Sequence, residues 1–142
     1  MAEKIIEMEV VTPEQHVVSV QAESVVVPAF EGYLGVLPDH APLITQLGIG
    51  VVSYMWKGQE KKIAITGGFM EVENNKIVIL ADTAETAEEI DVDRAGSARE
   101  RAEQRLKEQS QAVDYIRAQA ALQRATARLK AAGKDPNRES KN

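Results

Sequence analysis

Arg94, Arg101 and Arg105 recur at i, i+7 and i+11, and Arg117, Arg124 and Arg128 repeat that interval further along the chain. At about 3.6 residues per turn, each set falls on nearly one line of a helix. Arginine carries a permanent charge on a planar fork of donors that suits carboxylates and phosphates. Many such stripes are solvated charged faces, and Arg99, with Glu103 four residues on, has that ordinary form. Arg101, Arg124 and Arg128 differ in having no acid at i±3 or i±4. If the two helices fold against each other, guanidinium groups from both repel unless an anion stands between them. A polyphosphate has the charge for that position. Glu85 and Asp91, near the base of the first helix, offer carboxylates able to accept hydrogen bonds from a ribose or an adenine amino group. The pattern reads as an arginine-rich nucleotide site.

Other chemistries find less support. No Gly-rich loop ends in Lys-Ser/Thr, and Gly67-Gly68 alone does not make one, so hydrolysis of a bound nucleotide is not expected. His40 beside Asp39 has no nucleophile near it in sequence, and the chain holds only one other histidine, His16; a structural or interface role fits it best. Asp39 and His40 also make too few ligands for a stable metal site, so no metal and no catalytic residue is expected. Tyr54 and Trp56 lie on an alternating run and read as core or interface surface. The acids at Glu88-Glu89 and from Glu100 to Glu108 suit helix dipoles and solubility. Seventeen Lys and Arg against 22 Asp and Glu leave no positive field for nucleic acid. The absence of cysteine excludes disulfides and thiolate chemistry. The opening residues suit neither a signal peptide nor a membrane span, so membrane association is expected only through a partner.

The elements that carry these residues divide the 142-residue chain by periodicity. From Ile5 to about Ala81, short β-branched runs are broken by Gly, Pro and Asn. Ile6, Met8 and Val10 alternate with Glu7 and Glu9, and Val18, Val20 and Ala22 continue the pattern. Val25-Val26-Val27 reads as a strand buried on both faces. Lys57-Gly58-Gln59 and Asn74-Asn75 read as hairpin turns. Beyond Asp82 the composition favours helix. Asp91 is the expected N-cap, Glu108 to Gln111 a turn, and Gly133 a stop. Ala95, Ala98, Ala102 and Leu106 mark one apolar seam, and Tyr115, Ala118, Leu122, Ala125 and Leu129 the facing one. A seam built mostly of alanine, with Gly96 inside the first helix, predicts a weakly held, movable hairpin. The expected fold is α+β: an N-terminal flattened all-β sandwich or barrel over residues 1–86, then an antiparallel two-helix hairpin over 87–133. A disordered tail is expected over 134–142.

Three stretches of this sequence resemble the epsilon subunit family of bacterial rotary ATP synthases. They are Gly32-Tyr33-Leu34-Gly35-Val36-Leu37-Pro38-Asp39-His40-Ala41-Pro42-Leu43, Thr66-Gly67-Gly68-Phe69-Met70-Glu71-Val72, and Ile90-Asp91-Val92-Asp93-Arg94-Ala95. The last is similar to the Ile/Leu-Asp-x-x-Arg-Ala motif of the members that bind ATP. The resemblance implies a non-catalytic rotor subunit whose sandwich docks on the gamma subunit and the membrane ring, with Tyr33 and His40 in the ring-facing loop. It also implies nucleotide-binding positions at Glu85, Ile90, Asp91, Arg94, Ala95, Arg101, Arg124 and Arg128. By the same resemblance, ATP is a regulatory ligand that holds the hairpin folded. When ATP is scarce the helices extend into the catalytic alpha/beta hexamer and inhibit hydrolysis. The implied location is the cytoplasmic face of the bacterial plasma membrane, reached through the complex and without direct insertion. A stand-alone ATP sensor is the alternative, and it would need no gamma partner.

Overall fold

The computed structural model describes residues 4–108 and 112–134. The expected turn at 108–111 and the tail from 135 onward therefore lie, beyond Glu108, outside the described residues. Eight strands come first: β1 (Ile6–Val11), β2 (His16–Ala22), β3 (Ser24–Ala29), β4 (Gly32–Val36), β5 (Leu43–Trp56), β6 (Gln59–Glu73), β7 (Lys76–Ala81) and β8 (Ala84–Thr86). A single 3-10 turn, Ala87–Glu89, leads into α1 (Val92–Glu108) and α2 (Ala112–Ala131). The result is the expected sandwich followed by a two-helix hairpin.

The strands run in the order β2-β1-β7-β6-β5-β3-β4, with β8 pairing β6. β1 and β7 are parallel and the other pairs antiparallel. β2, at one edge, also approaches β5, which begins to close the sheet on itself. Alternation puts Ile6, Met8, Val10, Val27, Ile63, Ile65, Met70, Ile77 and Ile79 into one core, and each of these is almost fully buried.

Both predicted tight turns are present. Lys57 and Gly58 have φ of 51° and 77°, and Asn74 and Asn75 have 50° and 60°, the double positive φ that matches the twist of paired strands. β6 runs unbroken through Gly67-Gly68, from Gln59 to Glu73. At Gly68 the backbone has φ 141°, and a Cβ there would lie 2.1 Å from the Leu80 carbonyl oxygen. Glycine therefore lets β6 and β7 meet closely where β6 bends. β7 and β8 continue one another along β6, linked by Asp82 N–H donating to the Gly67 carbonyl at 2.9 Å. The triple-valine strand corrects one expectation: Val25 and Val27 are buried, but Val26 is 38% exposed. β3 lies in a sandwich layer with solvent on its outer side, so period-two alternation holds even where all residues are apolar.

α2 packs on β5 and β6, and α1 packs on α2. Ala95 and Ala102 of α1 are buried, as are Ala118, Ala125 and Leu129 of α2, which places the seam on the expected alanines. Ala98, Leu106 and Leu122 are only partly covered, and Tyr115 is 50% exposed near the start of α2. A second buried face was not foreseen. Ala127 and Ala131 cluster with Ile90, Val51 and Ala64, and this small apolar contact seats the hairpin on the sheet. Gly133, with φ 83°, ends α2 as expected; its N–H donates to the Lys130 carbonyl at 3.0 Å and that of Lys134 to the Leu129 carbonyl at 2.7 Å.

Candidate functional site

The start of α1 is built by Asp91. Its Oδ1 accepts a hydrogen bond from the Arg94 N–H at 3.1 Å, and its carbonyl accepts one from the Ala95 N–H at 3.0 Å, which is N-cap geometry. Arg94 is exposed beside it, and Ala95 is buried. Ile90, 8% exposed, anchors this end of the helix in the cluster with Ala127 and Ala131. The Ile90 to Ala95 stretch is thus one physical unit: a buried anchor, a cap and the first helical turn.

Glu85 sits in β8, in register with Ala64 of β6. Its Oε1 accepts a hydrogen bond from Nε of Arg128 at 2.7 Å, so Arg128, without a local acid, finds one on the sheet. Arg124 lies one turn earlier on the same face of α2 and is half-buried. Gly96 and Leu129 line one hollow between the helices. Five residues on from Gly96 along α1 is Arg101, and five back from Leu129 along α2 is Arg124, so helical rise sets these arginines at comparable heights. Among the described residues Arg94, Arg101 and Arg124 enter no ion pair, whereas Arg99 pairs with Glu103 at 2.9 Å as expected. The structure therefore brings Glu85 to Arg128 and sets Ile90 through Ala95 at one helix start, while no contact joins Arg101 to Arg124 among the described residues.

Tyr33 and His40 occupy separate surroundings. Tyr33 is in β4, where its hydroxyl accepts a hydrogen bond from the Val51 N–H at 3.3 Å and lines a cleft with Leu122, Gln123 and Thr126 of α2. His40 closes a tight turn, its N–H donating to the Leu37 carbonyl at 3.2 Å and its Nδ1 lying 2.7 Å from the Ala41 carbonyl. Neighbouring Asp39 has φ 67°. Its N–H donates to Oδ1 of Asn75 at 2.6 Å, Nδ2 of Asn75 donates to its Oδ1 at 3.1 Å, and the Lys4 ammonium pairs with its Oδ2. The Lys4 hydrogen bond, then that of Asn75, holds the Asp39 carboxyl below the ordinary aspartate value. Lys4 and Asn75 thus pin this loop to the sheet; the asparagine pair signalled a turn but not this second use. Burial, and then the charge of Glu88, raises the Tyr54 phenol above its ordinary value.

An exposed apolar strip crosses three adjacent strands. Phe69 pairs with Leu80 across β6 and β7, and Ile44 lies diagonally from Phe69 on β5. Their exposures of 55%, 57% and 73% are high for large apolar side chains, which makes the strip a candidate docking surface. Among the described residues no His, Asp or Glu cluster could hold a metal ion, and no helix is long and apolar enough to cross a membrane.

Fold and surfaces together define a β-sandwich with a docked two-helix hairpin, bearing an exposed apolar strip and an arginine-lined helical face. Residues 5–87 match the family model described as the ATP synthase, Delta/Epsilon chain, beta-sandwich domain, and residues 88–133 match the long alpha-helix domain of the same chain. The chain belongs to the ATP synthase delta/epsilon chain family. It is 59% identical over 134 residues to the ATP synthase epsilon chain of Carboxydothermus hydrogenoformans, covering 94% of this chain and 99% of that one. It is 53% identical over 106 residues to the ATP synthase epsilon chain of Pelotomaculum thermopropionicum, covering 75% and 79%. A chain of the Euglena gracilis mitochondrial ATP synthase, solved with OSCP, F1 and c-ring, superposes with a TM-score of 0.76 at 24% identity, covering 93% of this chain and 82% of that one. At that identity the likeness speaks for the fold.

Proposed function

We propose that this chain is a non-catalytic central-stalk subunit of a rotary ATP synthase, with a sandwich that docks on the gamma subunit and the membrane ring and a hairpin that responds to ATP. The Ile44, Phe69 and Leu80 strip supplies apolar area for a stable rotor contact. The complex holds the subunit at the cytoplasmic face of the bacterial plasma membrane.

The observation that carries the regulatory reading is the way the hairpin is seated. Its contact with the sheet is a small cluster in which α2 contributes alanines, Ala127 and Ala131, against Val51, Ala64 and Ile90. Each methyl-sized group buried there contributes about 0.8 kcal/mol. A ligand that prefers the docked state ~100-fold supplies about 2.7 kcal/mol, comparable to a few such contacts. ATP, held by Arg101, Arg124 and Arg128 through its phosphates and by Ile90, Asp91, Arg94 and Ala95 at the helix start, keeps the hairpin down. Without it the helices extend into the alpha/beta hexamer and oppose hydrolysis.

The test is calorimetric titration of ATP into the full chain, with and without magnesium, beside Asp91→Ala and Arg124→Ala. Saturable one-to-one binding weakened by both substitutions supports the nucleotide-gated hairpin. Absence of binding up to millimolar ATP refutes it and leaves the arginine stripes as a protein-docking surface.

A further inference from the structure

We infer that Asn75 is the positioning residue for the loop 37–42: its side-chain amide fixes the turn at Asp39 and so holds Leu37 and His40 in one arrangement before the membrane ring is met. The inference rests on the ring-docking reading above and names what makes that contact rigid.

Three observations lead to it. The loop is a tight turn, with the His40 N–H donating to the Leu37 carbonyl at 3.2 Å, Pro38 in second place and Asp39 at φ 67° in third. That is the type II pattern, whose third residue is usually glycine or asparagine, so an aspartate there calls for a compensating contact. Asn75 supplies it from the turn between β6 and β7, 36 positions away, and does so twice. Its Oδ1 accepts the Asp39 N–H at 2.6 Å, and its Nδ2 donates to the Asp39 Oδ1 at 3.1 Å. One amide thus meets both the backbone and the side chain of a single residue, and a two-point contact fixes orientation as one hydrogen bond does not. The third observation is how Asn75 is itself anchored. Its carbonyl accepts the Glu7 N–H at 2.9 Å, where β1 runs parallel to β7 with Glu7 in register with Lys76. Through one residue the loop is tied to β1 and β7, not only to the two strands that it connects.

A loop that carries a contact is ordered either before binding or by it, and ordering by it subtracts from affinity. Leu37 is 64% exposed, so its apolar surface is available on the turn rather than spent in the core. With Asp39 clamped, Leu37 and His40 are the first and fourth residues of one fixed turn, offered together at a set spacing. The Lys4 ammonium reaches the other oxygen of the Asp39 carboxylate, but it is a point charge on a flexible stem and neutralises without setting direction. Direction comes from the amide.

Asn75→Gly removes the amide and keeps the backbone, because glycine takes the φ of 60° at this position without strain and retains the carbonyl for Glu7. Two measurements are made on the full chain and the variant: amide exchange of Asp39 and His40, with β6 and β7 amides as the check on the sandwich, and affinity of each, paired with the gamma subunit, for the purified membrane ring. Two exposed hydrogen bonds at a few-fold each compound to about tenfold, so exchange at Asp39 should quicken and ring affinity fall by about that factor. In a Leu37→Ala, His40→Ala background the same substitution should change ring affinity at most about twofold, since no contact is left to position. A full tenfold loss in that background overturns positioning and makes the effect a general destabilisation. Unchanged exchange at Asp39 overturns the clamp. Faster exchange with unchanged ring affinity, while Leu37→Ala and His40→Ala still weaken binding, overturns the positioning role and leaves the docking reading standing. If the parent pair does not bind the ring, the docking reading fails and the inference fails with it.

Discussion

Replacing Gly96 with alanine should stiffen the hairpin without touching the sandwich. Gly96 lies inside α1, with no positive φ, and a Cβ built on it meets nothing within 4 Å. The added methyl enters the hollow shared with Leu129, so the substitution carries no steric penalty. Helix propensity favours alanine over glycine by about 1 kcal/mol in a helix interior. Because α1 packs chiefly on α2, that gain belongs mainly to the hairpin. A stabilisation of about 1 kcal/mol multiplies a local equilibrium constant by roughly five. Native-state amide exchange of the full chain reads this directly: amides of α1 around Ala98 and Ala102 should exchange about fivefold more slowly, and those of Ile63, Ile65, Ile77 and Ile79 should not change. Two results refute the reasoning. Unchanged α1 exchange means that opening of this helix is not governed by its own propensity, and equal slowing in β6 and β7 means that hairpin and sandwich open as one unit.

The reverse outcome is expected at Gly68, where a Cβ would lie 2.1 Å from the Leu80 carbonyl oxygen at φ 141°. Gly68→Ala should destabilise the sandwich by about 3 kcal/mol, seen as a lower urea midpoint, and an unshifted midpoint would contradict the close approach of β6 and β7. The Asp39 carboxyl, held below its ordinary value by Lys4 and then Asn75, favours the folded state above the unfolded-chain value, and this contribution disappears as pH falls through the folded value. A carbon-detected NMR titration should therefore place its midpoint below that of a free aspartate, with Lys4→Ala moving it back up; a parent midpoint at or above the free value would rule out the latch.

What could be read from the chain alone was set by near neighbours. The turns at Lys57-Gly58 and Asn74-Asn75 need positive φ at adjacent residues, which glycine and asparagine supply at least cost, and they form where expected. The same locality explains the Asp91 cap, whose side chain reaches the Arg94 N–H three residues on, and the Gly133 stop. The alanine spacing of both helices likewise foretold the seam at Ala95, Ala102, Ala118 and Ala125. Alternation in strands showed which residues share a face, but not what lies opposite: Val26 meets solvent, and Ile44, Phe69 and Leu80 align only because three strands pair in this register.

Tertiary structure alone decided the long-range polar contacts. Glu85 and Arg128 are 43 positions apart, and Asp39 and Asn75 are 36 apart. No local periodicity encodes such pairs, because a side chain's partner across space depends on how whole elements dock. The second buried face of α2 has the same origin. Ala127 and Ala131 are small enough for either solvent or a tight interface, and only the sheet lying beneath them makes those methyl groups part of a core.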